Sequence, residues 1–381
     1  MDTRTRPSLS QMELRSVSKR GRAMLQSLDC HILRLSSEEL LSIFDKLDFA
    51  SALAMSATCK RLYWESTLMR ELKLRNLRHP LSIERAATFL SRFQELRVLT
   101  VGEDCFSAPD GVPNGLAGGA YVAARFALLP TMSPTEVHGM SKPGLEVLEI
   151  GGNRLSARFI SMIMDEINLG DDADSSQVIS PLPLRRLDLS NTMAFTWVDS
   201  ARRDYFPAPM CSLLRHLYSY APNLAELRLA DNAIQPDALR NITALIPRLE
   251  RLDLSGNKLG DEGFTCIVHA IMHPASTSNL IELRLDSNFI SSGHLVTELL
   301  RGNKVLKTLT LAWNDICADG ALKISEGLRE FSHDIPLSRL DLSYNTFLLK
   351  ATHSHGPPDL RAARALRRTI RSDLLVHTWG I

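Results

Sequence analysis

The sequence predicts an α/β solenoid, with parallel strands along a concave face and helices along a convex one, preceded by a small three-helix bundle. Three observations carry this. About one residue in six is leucine, and the leucines keep a phrase, L-x-x-L-x-L-x-x-N-x-(L/I/F), that begins at Leu145, Leu224, Leu249, Leu280, Leu306 and Leu337. The stretches between phrases space their apolar residues by three and four, as helices do. Upstream, residues 31–70 hold a separate apolar cluster that the phrase does not explain. The 381 residues divide accordingly. Residues 1–30 read as a basic, disordered N-terminus, 31–70 as the bundle, 71–347 as about eight repeats, and 348–381 as a basic capping helix and tail.

The bundle comes first in the chain. Ser36 and Glu39 form S-x-x-E, a capping box in which each side chain takes the other's orphaned amide, and Leu35 can staple to Leu40. Leu40, Ile43, Phe44 and Leu47 then fall at i, i+3, i+4 and i+7 on one face. A second helix is expected over Ala52–Tyr63, with Met55, Cys59, Leu62 and Tyr63 along one stripe, and a short third helix over Leu68–Leu72. Forty residues bury too little for a self-sufficient core. Leu41, Met55, Leu62, Tyr63 and Trp64 exceed what one small bundle hides, so something must cover them.

This segment resembles an F-box. Leu35, Glu38, Leu40, Ile43, Phe44, Leu47, Leu53, Ser56, Cys59, Lys60, Arg61, Leu62 and Tyr63 match its pattern, while Ser36 stands at its usual Pro, Glu39 in a usually apolar slot and Met69 where Trp is often found. The resemblance implies docking on a Skp-type adaptor, and through it a cullin, by way of Leu35, Glu38, Leu40, Leu41, Ile43, Phe44, Leu47, Leu53, Cys59, Leu62 and Tyr63. The residues alone leave a second reading open, a plain cap over the first hydrophobic strand of the solenoid.

Each phrase then makes one strand. Its L-x-L pair puts two side chains on one face of the strand, pointing inward. The Asn turns the chain, its amide bonding backbone groups that the bend would orphan. No repeat buries its leucines alone, so neighbours stack. Two degenerate copies start at Leu96 and Leu184, with Asp104 and Thr192 at the Asn position, and a fragment, MRELKLRNL, starts at Met69. After Asn257 and Asn314 come helical stretches with Gly263 and Gly320 six residues on. These repeats are similar to the leucine-rich repeat family, specifically its ribonuclease-inhibitor-like, strand–helix subtype. With the bundle ahead of them, the whole chain resembles F-box/leucine-rich repeat proteins.

The third and fifth letters of the phrase face the concavity. From Leu184 onward the third letters are Arg186, Glu226, Arg251, Glu282, Thr308 and Arg339, and the fifth are Asp188, Arg228, Asp253, Arg284, Thr310 and Asp341. Both rows alternate in sign over four repeats, which predicts a lattice of Arg–acid ladders that neutralises itself. Candidate target-binding residues are Arg228 and Arg284 on this face, and Trp313 and Tyr344 at the eighth letter, because large aromatics carry much of the energy of an interface. Trp197 and Tyr205 join them from a loop.

Three stretches interrupt the period: 107–144, rich in Gly, Pro and Ala; the acidic 168–183; and 192–210, which holds Trp197 and Tyr205. Long loops on rigid scaffolds often carry function. In 359–378, Arg361, Arg364, Arg368 and Arg371 form one helical stripe opposite Leu366, Ile370 and Leu374, as a capping helix would.

Much is excluded. A net charge of +1 is too small for binding nucleic acid by phosphate neutralisation. No apolar run approaches a membrane span, and the N-terminal stretch lacks the apolar core of a secretory signal. The six cysteines are scattered with no C-x-x-C, which points to a reducing compartment, cytoplasm or nucleus. Lys19, Arg20 and Arg22 form a weak nuclear-import pattern. His269 and His273 lie at i, i+4 without the acid of a metalloprotease motif, and no nucleotide-binding or hydrolase fingerprint occurs. No cofactor or metal is expected, and no catalytic residue. The expectation is a monomeric, non-catalytic substrate receptor of a Skp–cullin–F-box type ubiquitin ligase, holding an unknown protein target. The alternative is a leucine-rich repeat scaffold or inhibitor. A Ran-type GTPase activator, usually acidic at its C-terminus, fits the basic tail poorly.

Overall fold

The computed structural model describes residues 35–44, 46–47, 49–57, 60–74, 81–82, 93, 95–102, 106–107, 135–137, 140–142, 144–152, 182–191, 214, 217–219, 221–273, 277–330, 336–347, 360–369 and 375–377. The expectations for residues 1–30, for most of the three interruptions, and for Cys59, Trp197, Tyr205 and Arg371 fall outside these, as do the side chains of Leu53 and Tyr63.

Helix α1 (Ser37–Phe44) starts at the capping box. The Ser36 amide donates to Glu39 Oε2 at 2.8 Å and the Glu39 amide donates back to Ser36 Oγ at 3.3 Å. The bonds from the Ser36 amide and hydroxyl hold the Glu39 carboxyl below the usual range. The expected second helix is two, α2 (Phe49–Ser56) and α3 (Lys60–Thr67). On one continuous helix Ala52 and Leu62 would point about 80° apart; the break between them lets both face inward, where they are buried with Leu40 and Phe44. The expected third helix over Leu68–Leu72 is absent. The Thr67 hydroxyl donates to the Trp64 carbonyl at 2.7 Å as α3 ends, and the alternation of exposed Lys73 with buried Leu72 and Leu74 then makes a strand, β1 (Glu71–Leu74).

β1 opens a ten-stranded parallel sheet. It continues through β2 (Val98–Val101), β3 (Val147–Glu149), β4 (Arg186–Asp188), β5 (Glu226–Arg228), β6 (Arg251–Asp253), β7 (Glu282–Arg284), β8 (Thr308–Thr310), β9 (Arg339–Asp341) and β10 (Leu375–His377), each paired only with its neighbours in sequence order. The register aligns the fourth letter of every repeat, so that Leu187, Leu227, Leu252, Leu283, Leu309 and Leu340 form one buried column. The expected eight strands are thus joined by β1, the fragment from Met69, and by β10. The convex side carries α4 (Pro236–Leu239) with two 3-10 turns, α5 (Gly260–Met272), α6 (Gly293–Gly302) and α7 (Ala318–Glu330). The expected capping helix is α8 (Leu360–Thr369), which packs on α7 and buries Ala362 and Leu366. Within the described residues the bundle and the repeats share one continuous apolar core.

The asparagines work as the sequence implies. Asn257 Oδ1 accepts from the amides of Asn232 (3.1 Å) and Ile234 (2.9 Å), while its Nδ2 donates to the Leu229 and Leu254 carbonyls. Asn314 and Asn345 repeat the pattern with their own neighbours. Each links two turns of the solenoid and satisfies groups sealed from water.

Candidate functional site

The concave face of β3–β7 carries a continuous charged ladder that starts at Glu149, a fifth letter, and then follows the third-letter row. Arg186 bonds Glu149 on one side (3.1 Å) and Glu226 on the other (2.8 Å), and Arg251 bridges Glu226 (3.4 Å) and Glu282 (3.6 Å). Arg228 also pairs with Glu226, and with Asp188 at 3.6 Å. Arg284 turns to Glu282 on its own strand at 2.6 Å. Between these side chains lies a shallow polar hollow of about 240 Å³, lined by Glu226, Arg228, Arg251, Asp253, Glu282 and Arg284.

Glu226 is the hub, only 5% exposed and facing three guanidiniums. Burial pushes its carboxyl up, but the combined pull of Arg228, Arg186 and Arg251 is larger and holds it below the usual range. The individual arginines are roughly half in water, so each pair contributes well under about 1 kcal/mol, whereas the shared carboxylate contributes more. Glu226→Gln should lower stability by about 1–2 kcal/mol at neutral pH in a urea titration. Because the folded pKa is depressed, that contribution is present above the ordinary glutamate value of about 4.3 and is lost as pH falls through the folded one. The gap between wild type and variant should therefore close in acid.

The fifth-letter row departs from the expected lattice. Asp253 lies in register between Arg228 and Arg284, yet among the described residues it makes no ion pair. Both arginines reach the longer glutamates of the third-letter row instead. Asp253 spends one oxygen on the Ser255 amide (3.0 Å), a turn that Asp188 and Asp341 repeat with Ser190 and Ser343. Asp286 does the same across repeats, accepting from the Ala312 amide at 2.7 Å and from the Thr310 hydroxyl at 2.8 Å. Burial raises the Asp286 carboxyl, with a further push from Asp341 and Asp253. Burial and Asp253 likewise raise Asp231.

The eighth letter marks the rim where strands turn toward helices. Its backbone is left-handed in every described copy: Gly152, Asn191, Asp231, Gly256, Ser287, Trp313 and Tyr344 have φ between 49° and 73°. Glycine, asparagine and aspartate tolerate this conformation; a bulky aromatic costs on the order of 1 kcal/mol or more there. Trp313 and Tyr344 nevertheless occupy it, with ring centroids 4.2 Å apart and planes within 12°, 59% and 37% exposed. The recurrence of G, N, D, G and S at this letter suits a left-handed turn, and it makes the two aromatics exceptional. Phe289, also left-handed and 63% exposed, is a third exposed aromatic on this rim that the sequence reading missed.

At the other end, the expected adaptor residues separate. Leu40, Phe44 and Leu62 are buried in the chain's own core and are not available as surface. Leu35, Leu41, Ile43 and Leu47 are half-buried and Glu38 is exposed. Trp64, absent from the expected contact set, is 61% exposed on α3. Among the described residues no group of three His, Cys, Asp or Glu side chains could hold a metal, and His269 and His273 are exposed at the end of α5.

Comparison with known proteins agrees with this geometry. A family model described as Leucine Rich repeat matches residues 247–268 and 302–325, the repeats that carry α5 and α7. The fold and this match define a leucine-rich repeat protein-interaction module. Within that class the chain is similar to Tonsoku-like protein of Mus musculus, 34% identical over 144 residues, which is 36% of this chain and 10% of that protein. It is similar to NACHT, LRR and PYD domains-containing protein 12 of Mus musculus, 29% identical over 147 residues, 38% of this chain and 13% of that protein. Ribonuclease inhibitor of Sus scrofa is 29% identical over 108 residues, 28% of this chain and 23% of the inhibitor. The chain thus spans between a tenth and a quarter of the length of these relatives.

Proposed function

We propose that this chain is the non-catalytic substrate receptor of a Skp–cullin–F-box type ubiquitin ligase, acting as one copy within the complex in cytoplasm or nucleus. In this reading α1–α3 dock the adaptor while the concave face and rim hold the target. The observation that carries it is the surface left on the bundle. After Leu40, Phe44, Ala52 and Leu62 enter the core, Leu41, Ile43, Leu47 and Met55 stay half-buried and Trp64 stays in solvent. Three residues separate α3 from β1, so an adaptor held there would be coupled rigidly to the repeats. Transfer then proceeds by proximity, through the raised effective concentration of target lysines at the charged enzyme.

A second reading is a scaffold or inhibitor, in which the bundle only caps the solenoid. It is favoured by the continuity of Leu40, Phe44 and Leu62 with Leu72 and Leu74 of the first strand. Co-expression with a Skp-type adaptor separates the two. Wild type should carry the adaptor through affinity purification, and Leu41→Asp and Trp64→Asp should each shed it. Leu62→Asp is unsuitable, because its side chain is buried and the change would unfold the bundle. A wild-type chain that purifies without adaptor leaves the cap.

A further inference from the structure

The rim of the solenoid combines an exposed aromatic stack with carboxylates that make no ion pair among the described residues. Trp313 and Tyr344 stand at equivalent positions of adjacent repeats, the Trp313 amide donating to the Ser343 carbonyl at 2.9 Å. Their rings are stacked nearly parallel at about the spacing of neighbouring strands. The stack therefore runs along the row, with Trp313 still 59% exposed, and the eighth letters of the two preceding repeats, Ser287 and Gly256, carry a small side chain or none. Past them comes Asp231, whose carboxylate lies so close over Gly256 that a Cβ there would sit 1.8 Å from its Oδ1. Gly256 to Trp313 is two strand spacings, about 10 Å. Asp253 and Asp286 border the same stretch from the concave side, Asp286 accepting from the amide of Ala312, one residue before Trp313.

None of Asp231, Asp253 and Asp286 makes an ion pair among the described residues; Arg228 and Arg284, which flank Asp253 in register, are engaged instead with Glu226 and, at 2.6 Å, with Glu282. Burial raises Asp231 and Asp286, with a smaller push on both from Asp253 and on Asp286 from Asp341. A π-face bordered by carboxylates attracts a cation from two sides at once.

We infer that this rim, from Asp231 to Tyr344, docks a segment of a protein partner through a lysine or arginine side chain laid on the exposed ring of Trp313 with its charge toward Asp231 and Asp253. The inference rests on reading the solenoid as the target-binding part of the molecule, and it specifies the chemistry of the target: a basic segment, in extended form across the rim. The left-handed backbone at Trp313 and Tyr344, held by the asparagine bonds beneath, fixes the stack before the partner arrives.

Fluorescence anisotropy on the full chain tests this with three labelled peptides of one length, an arginine–glycine repeat and its glutamate–glycine and leucine–serine counterparts. The arginine peptide should bind, more weakly as salt rises, and the others should not. Trp313→Ala should weaken it about tenfold. Asp253→Asn keeps the acceptor for the Ser255 amide and so keeps the turn, and with Asp231→Asn it should weaken binding several-fold. Preference for the glutamate or leucine peptide, absence of binding to all three, or affinity unmoved in both Trp313→Ala and the double Asn variant overturns the inference. The adaptor reading is measured at α1–α3 with other variants, so failure at the rim leaves it standing, and loss of adaptor leaves the rim result intact.

Discussion

Asn314→Ala should lower the unfolding free energy by roughly 3 kcal/mol or more, the loss of two buried amide partners at about 1–3 kcal/mol each. Asn314 Oδ1 accepts from the amides of Asn288 and Ile290, both at 3.0 Å, and its Nδ2 donates to the Leu285 and Ala312 carbonyls at 2.9 and 3.2 Å. Alanine leaves those amides with no solvent to turn to, since Asn314 is almost wholly buried. Asn288 is the internal comparison. Its Nδ2 donates to the Leu254 and Asp286 carbonyls, but its buried Oδ1 has no partner. Asn288→Ala orphans no amide through that oxygen and should cost less than Asn314→Ala by a kilocalorie or more. Urea titration measures the difference, and hydrogen exchange localises it: the Ile290 amide should lose protection in Asn314→Ala alone.

Gly293→Ala should cost at least about 2–3 kcal/mol, because the new methyl has backbone on its far side rather than a side chain that could turn away. A Cβ at Gly293 would lie 2.0 Å from the Gly320 carbonyl oxygen and 2.6 Å from Gly320 Cα. The first turns of α6 and α7 touch there through bare backbone, so the two helices must part to admit the methyl. Gly260 makes the contrast. It is left-handed at φ 56° with open space around its Cβ position, so Gly260→Ala should carry only the conformational cost of about 1 kcal/mol. Thermal melts of the two variants should differ visibly; equal shifts would mean the helices yield at little cost.

The repeats were legible because each phrase states its own structure: two inward leucines, a turn asparagine, then helical spacing. β1 was harder to read, since its phrase has Leu77 at the ninth letter where Asn is expected and Glu71–Leu74 looks like the tail of a helix until its pairing with Val98–Val101 is known. β10 has no phrase at all; Leu375–His377 becomes a strand only because β9 offers an open edge. The break between α2 and α3 follows from which side chains the first repeat accepts, a tertiary fact that local periodicity does not hold. On the concave face the alternation of signs was readable and the ladder along Arg186, Glu226, Arg251 and Glu282 formed as expected. The choice of Arg228 and Arg284 for glutamate over Asp253 depends on side-chain reach, which letters do not show. At the rim, Trp313 and Tyr344 were readable as candidate anchors from their size, whereas the left-handed backbone that makes them exceptional shows only in the structure.

We propose that the two ends of this molecule do separate work, adaptor docking at the bundle and target recognition at the rim. The most direct measurement is size-exclusion chromatography with light scattering of the full chain mixed with a purified Skp-type adaptor, for wild type, Leu41→Asp and Trp313→Ala. Wild type and Trp313→Ala should each form a one-to-one complex, and Leu41→Asp none. Wild type and adaptor eluting apart would contradict it and leave the bundle as a cap.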